Sequence, residues 1–226
     1  MADANRVKRF WKNVSVEGGT ILLDARLVKT PGRMTSQLPT PQLAEAVADE
    51  WRAVGDDIKP HEMPLTGLAN SAVERPPTAE ALAVYGETDV LCYRAENAPE
   101  LAAREAEVWD PMLDWARARF DISFTITSGI IHKPQPPETV CRLAAAVALY
   151  DDFHRTALSP LVTIGGSLVA ALMLAEGEIR PDAAFDACHL DELWQAEHWG
   201  EDWMATDARA IRRADFNAAA RFLSLL

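Results

Sequence analysis

Hydrophobic and polar positions change period along this chain. Near the start the apolar residues fall close to every second position: Phe10, Val14 and Val16 lead into a Gly18-Gly19 turn. Thr20-Ile21-Leu22-Leu23 follows, then an Asp24-Ala25 turn, then Leu27-Val28-Lys29-Thr30 closed by Pro31-Gly32. Successive side chains of a strand point to opposite faces, so this alternation, broken by close-set turn residues, predicts an antiparallel meander. At Thr40 the period lengthens. Thr40 is a good N-cap, Pro41 suits the first helical position, and Leu43, Val47 and Trp51 recur at i, i+4 and i+8. An amphipathic helix ending near Gly55 is predicted.

Residues 68–74 predict a short helix before Pro76-Pro77, and Thr78 with Glu80 starts another that runs to Gly86. Residues 89–94, rich in Val, Cys and Tyr, predict a strand. Residues 101–120 are helical in pattern, and Asp110-Pro111 is expected to kink or split that helix. Residues 122–131 predict a second strand with Gly129 inside it, and Pro134, Pro136 and Pro137 form a stiff connector. Beyond the connector the pattern is helical throughout, over 138–153, 160–176, 181–204 and 205–225. The fold class expected is α+β: an N-terminal antiparallel β plus helix region, 1–131, followed by an all-α domain, 132–226.

Composition narrows the partner. Lys plus Arg total 22 against 34 Asp plus Glu, a net charge of −12. Such a chain is repelled by a nucleic-acid backbone or an anionic membrane, and favours a partner with basic or apolar surface. The most apolar stretch, 158–175, contains Pro160, Thr163, Gly165, Gly166 and two serines, which suits a buried helix and falls short of a membrane span. Cys92, Cys141 and Cys188 are scattered and form no C-x-x-C. They read as free thiols of a reducing compartment, packed as small core hydrophobes. The first ten residues are polar, without the apolar stretch of a signal peptide. The expected location is the cytoplasm of a bacterium, or the mitochondrial matrix for a matured organellar protein.

Catalytic chemistry is hard to assemble from these residues. Gly165-Gly166-Ser167 lacks the G-x-S-x-G spacing and a preceding strand, and reads as small residues that let helices approach. No glycine-rich phosphate loop occurs, so no nucleotide cofactor is expected. His189-Leu190-Asp191-Glu192 lacks a second histidine, and His154 and His198 are isolated, so no metal is expected either. One segment stands apart. Residues 181–207 hold eight acidic residues, no Lys or Arg, and Trp194, Trp199 and Trp203. As one continuous helix it would place Leu190, Leu193, Trp194, Glu197, Glu201 and Met204 on one stripe, with Trp199 and Trp203 roughly opposite, unless Gly200 bends it. Carboxylates on an apolar stripe need arginines from elsewhere or an exposed position. The segment reads either as a solvated face over core tryptophans or as a partner site, with aromatic anchors and charge selection.

Several ordered patterns resemble a known family. Lys8-Arg9-Phe10-Trp11-Lys12, Leu23-Asp24-Ala25-Arg26 with Lys29-Thr30-Pro31, Leu38-Pro39-Thr40 with Glu50-Trp51, and Met63-Pro64-Leu65-Thr66 with Leu68-Ala69 occur in sequence. Tyr85, Thr88-Asp89, Tyr93-Arg94-Ala95, Trp109-Asp110-Pro111, Leu190-Asp191-Glu192, Gln195 and Trp199-Gly200-Glu201 continue the series. Together they resemble the ATP-twelve family of assembly chaperones over nearly the whole chain. Three departures stand out: Ala25 where the pattern has glycine, Glu74-Arg75 at an acidic position, and Trp203-Met204-Ala205 where further acid is expected. The resemblance implies a small N-terminal α+β region packed on a larger helical C-terminal domain. It also implies binding instead of catalysis, no cofactor, and a chain that is monomeric when free. The partner it implies is the alpha subunit of the ATP synthase F-one sector, held until beta replaces it. Glu201 and then Asp202 are the leading contact residues, with Trp199, Glu197, Gln195 and Trp203 beside them. A small-molecule enzyme of unknown class and an adaptor subunit of a stable complex are the alternatives.

Overall fold

The structure, a computed structural model, describes residues 7–226. Of the polar opening, residues 1–6 lie outside the described residues. The meander is present: β1 (Val14–Glu17), β2 (Thr20–Leu23) and β3 (Arg26–Leu27) form one antiparallel sheet, with Val16 opposite Ile21 and Leu23 opposite Arg26. Its two-residue β2–β3 turn places Asp24 at φ 46° and Ala25 at φ 66°. Both lie in the left-handed region that such hairpins require. Ala25 thus accepts the strain a glycine would avoid. Asp24 offsets it, because its carboxylate accepts from the Lys12 N–H at 2.9 Å and the Asn13 N–H at 2.8 Å. Those two donors hold its carboxyl below the usual carboxylate range.

Helix α1 (Pro41–Ala53) starts at Thr40, whose hydroxyl accepts from the Leu43 N–H at 3.1 Å and donates to the Leu225 carbonyl at 2.5 Å. That second bond joins the first helix to the C-terminus. Glu50 caps the next helix in trans. Its carboxylate accepts from the N–H groups of Leu65 (2.8 Å) and Thr66 (2.7 Å) and from the Thr66 hydroxyl (2.7 Å). These are the orphan donors of α2 (Pro64–Glu74), whose own N-cap, Met63, supplies no side-chain acceptor. This explains why α2 begins four residues ahead of the predicted start. Thr78 caps α3 (Ala79–Ala83), which tightens into a 3-10 turn at Val84–Gly86.

Both predicted strands before the connector shrink. Residues 90–92 form a 3-10 turn, leaving β4 (Tyr93–Arg94). Asp89 is the cause: it is fully buried, and its carboxylate takes the N–H groups of Leu91 (3.1 Å) and Val169 (3.0 Å). Burial pushes its carboxyl up to about 6. After α4 (Pro99–Phe120), residues 122–131 yield only β5 (Thr127–Ser128), paired parallel with β4. The apolar Ile130 and Ile131 of that run are solvent-exposed. Pro111 lies inside α4 without splitting it. Trp109, Met112 and Leu113 around it are buried, and this packing outweighs a local penalty of about 3 kcal/mol.

The helical half is regrouped. Asp151 accepts from the His154 N–H at 2.9 Å, separating α5 (Pro137–Ala148) from α6 (Asp152–Gly165), which runs through Pro160. Gly166 at φ 67° closes α6, and the Ser167 hydroxyl caps α7 (Leu168–Ala175) at the Ala170 N–H, 3.0 Å away. A Cβ on Gly165 would lie 3.1 Å from Cys188 Sγ, so the small residue does permit a close helix approach. Then come α8 (Pro181–Cys188), α9 (Leu190–Trp199) and α10 (Trp203–Ser224).

Helix α6 is packed by α10, α2, α7 and α3. One apolar cluster, including Leu43, Leu65, Leu143, Leu158, Phe185 and Phe216, joins residues from both sides of the proline connector. A second, with Leu91, Trp109, Leu113, Val169 and Leu190, holds α4 to α7 and to the start of α9. Cys92 is buried and its thiol is pushed up to about 12, whereas Cys141 is exposed and is no part of the core. Among the described residues no helix is long and apolar enough to cross a membrane.

Candidate functional site

Residues 181–207 are not one helix. They form α8, α9 and the first turn of α10. Gly200 makes the second break at φ 88°, ψ 160°, a region open essentially to glycine alone. No atom lies within 4 Å of a Cβ built there, so the requirement is conformational and not one of space. Asp202 then caps α10: its Oδ1 accepts from the Met204 N–H at 3.1 Å, and the Thr206 hydroxyl donates to its carbonyl at 3.0 Å. Helices α9 and α10 therefore meet at an elbow made of Gly200, Glu201 and Asp202.

The elbow breaks the single stripe that a continuous helix would give. Leu190 is buried and Trp194 half-buried, but Met204 is 62% exposed. The acidic charge is compensated as well, from other elements. Arg213 pairs with Asp186 and, at 3.3 Å, with Asp182. Arg212 meets Glu192 at 2.5 Å, and Arg209 lies 3.2 Å from Glu201 and 3.8 Å from Glu192. Arg104 of α4 makes a two-point contact with Glu197 at 2.6 and 3.1 Å, which holds the Glu197 carboxyl below the usual range. Most of these pairs are solvent-exposed and contribute only about 0–1 kcal/mol each. Arg209 differs, because its side chain is almost wholly buried and its carboxylate partners satisfy a desolvated charge.

What the elbow leaves uncovered is apolar. Trp199 is 74% exposed, Trp203 72% and Ile211 64%. Trp194 stacks on His198 at 3.9 Å and meets Trp199 edge-on at 5.6 Å. At 100° per residue, Trp203, Met204 and Ile211 fall within an arc of about 100° on α10, with Asp207 between them. Arg209, Phe216 and Ala220 are buried on the other side of the helix. The result is an aromatic and aliphatic surface with the Asp202 carboxylate at its edge and the Asp207 carboxylate within it. Clustered exposed apolar side chains on a well-packed fold mark interaction surfaces.

The structure thus brings Glu201, Asp202, Trp199 and Trp203 together at the elbow. Gln195 and Glu197 lie a turn or so back on α9, both exposed, with Glu197 committed to Arg104. Sequence reasoning missed Met204 and Ile211. It placed Met204 on one stripe with Leu190 and Trp194 because that stripe was carried through Gly200. Reading Asp202 as a helix cap would have restarted the register at Trp203 and put Met204 and Ile211 on its face.

Solved structures match this chain over nearly its whole length. The family model described as ATP12 chaperone protein matches residues 8–117. The crystal structure of Atp12 from Paracoccus denitrificans superposes with a TM-score of 0.91 at 42% identity, covering 96% of this chain and 97% of that one. An aspartate-to-lysine mutant of P. denitrificans Atp12p gives the same values. The Atu1473 protein of Agrobacterium tumefaciens matches with a TM-score of 0.91 at 36% identity, over 97% of this chain and 86% of that one. The chain belongs to the ATP12 chaperone family.

Proposed function

We propose that this chaperone acts without catalysis in assembly of the ATP synthase F-one sector, binding the unassembled alpha subunit at the α9–α10 elbow until beta replaces it. The observation that carries the reading is the exposed Trp199, Trp203, Met204 and Ile211 surface on a chain whose other large aromatics are mostly packed. An alpha subunit without beta exposes apolar surface, and such surface aggregates. Tryptophans supply large anchor area for covering it. The carboxylates of Asp202 and Asp207 favour basic residues on the partner and disfavour acidic ones. Release needs no nucleotide in this scheme: beta competes for the same apolar surface.

Titration of the purified chain against alpha subunit, beta subunit and assembled head tests this reading. Binding to free alpha, with none to beta or to the assembled head, is expected. Equal binding to the assembled head, or none to free alpha, overturns it.

A further inference from the structure

A surface cavity of about 600 Å³ opens between α4, the β4 turn, the loop after β5 and Asp191 in the first turn of α9. Its apolar lining comes from Tyr93, Trp109 and Ile130. Its polar lining is unbalanced: three carboxyl groups, on Glu96, Glu105 and Asp191, against the single guanidinium of Arg94. That guanidinium is already committed. It donates to the Leu91 and Tyr93 carbonyls at 2.7 and 2.9 Å and to Asp110 at 2.6 Å, and it lies over the Trp109 ring at 5.1 Å. Trp109 is fixed in turn, donating its indole N–H to the Ala187 carbonyl at 2.8 Å.

The carboxyls are differently placed. Glu105 is 1% exposed and accepts from the Ala95 N–H at 2.8 Å. Burial pushes its carboxyl up to about 7, and the hydrogen-bonded Asp191 adds to the effect. Glu105 and Asp191 adjoin at one end of the cavity, and an entering cation would relieve the repulsion between them. Glu96 packs over Gly129, where an added Cβ would come within 2.8 Å of its Oε2. Apolar walls with an anionic end suit a ligand that has an apolar stem and a cationic head.

We propose that this cavity receives an arginine or lysine side chain of the protein client. The inference rests on the reading above that the client is a protein, and adds a second contact to the elbow. Helix α9 starts at the cavity with Asp191 and ends at the elbow with Trp199. Its ten residues span about 15 Å, so one client surface can reach both. Tyr93-Arg94-Ala95, Trp109-Asp110 and Asp191, which are remote in sequence, are assembled at this one place.

The test uses the full chain and Nα-acetyl-arginine amide, Nα-acetyl-lysine amide and the neutral Nα-acetyl-citrulline amide, followed by NMR. Saturable shifts at the Trp109 indole N–H and the Gly129 amide are expected with the cationic amides alone. Asp191→Asn, and separately Glu105→Gln, should weaken them at least about fivefold with the fold intact. Equal shifts with citrulline, or none with either cation, overturn the cavity assignment. In a second arm Asp191→Asn is expected to lower affinity for purified alpha subunit about tenfold. Unchanged affinity alongside bound cationic amides overturns the client assignment while the functional reading stands. A wild-type chain that binds the amides but no alpha subunit overturns both the functional reading and the client assignment.

Discussion

Substituting Asp202 separates a helix cap from a charge, two roles that its carboxylate plays at once. The cap is the bond from the Met204 N–H to Oδ1 at 3.1 Å, at the start of the 22-residue α10. Asparagine caps as well as aspartate, so Asp202→Asn removes the charge and keeps the bond. Its stability cost is the lost attraction to the helix N-terminus, about 0.3–1 kcal/mol. Alanine loses both, at about 1 kcal/mol for the cap alone, with a range of about 0.5–2. For a chain of this size each kcal/mol moves Tm by about 2–4 °C. Asp202→Ala is therefore expected to lower Tm by about 3–8 °C, and Asp202→Asn by about 1–4 °C. Binding should behave differently. A charge at the border of an interface acts mainly on association rate and salt dependence, so both variants should slow alpha-subunit association by a similar factor and flatten its salt response. Circular dichroism melts give the first quantity, and surface-immobilised kinetics at two salt concentrations give the second. Equal Tm losses for Asn and Ala would refute the capping role, and association rates that differ between them would refute the separation of roles.

Other substitutions probe the same account. Gly200→Ala forces a Cβ residue into φ 88°, ψ 160° with no steric clash, so it should cost about 1–3 kcal/mol from backbone conformation alone, read as a lower Tm and faster amide exchange at the start of α10. Ala25→Gly relieves left-handed strain of about 1–2 kcal/mol against a glycine entropy cost of about 0.5–1, so a net gain of up to about 1.5 kcal/mol is expected in a denaturant melt. Glu105 has its folded pKa raised to about 7 from 4.5, so between those values the unfolded chain releases a proton that the folded chain keeps, and stability falls as pH rises. Glu105→Gln should therefore show a smaller loss of Tm between pH 4.5 and 7 than the wild type, with Asp89, raised to about 6, supplying the slope that remains.

The elements most legible in the sequence are those with local determinants. The Gly18-Gly19 and Asp24-Ala25 turns fix the meander, and Thr40-Pro41 and Thr78 fix helix starts, because cap and turn chemistry acts within a few residues. The errors arise where a distant group decides. Glu50 starts α2 early from 15 residues away, and Asp89 delays the start of β4 by bonding Leu91 and Val169. Pro111 and Pro160 sit inside helices that tertiary packing sustains, so a local breaker signal was overruled. At the candidate site, composition singled out residues 181–207, and Gly200 was one place where a continuous helix could bend. The charge balance was not legible, since Arg104 lies 93 residues from Glu197 and the arginines of α10 face back onto α8 and α9. Nor was the Glu105–Asp191 pair, because nothing in either local pattern marks a carboxyl that will be buried beside another.

The central claim is that the elbow holds the client. It is tested most directly by the affinity of the Trp199→Ala/Trp203→Ala double variant for purified alpha subunit. Both side chains are more than 70% exposed, so their removal should leave Tm within about 1–2 °C of the wild type. Loss of two aromatic anchors should weaken binding by at least about thirtyfold, equivalent to about 2 kcal/mol. An affinity within twofold of wild type, on a chain with unchanged melting, would contradict the account and place the contact elsewhere on the molecule.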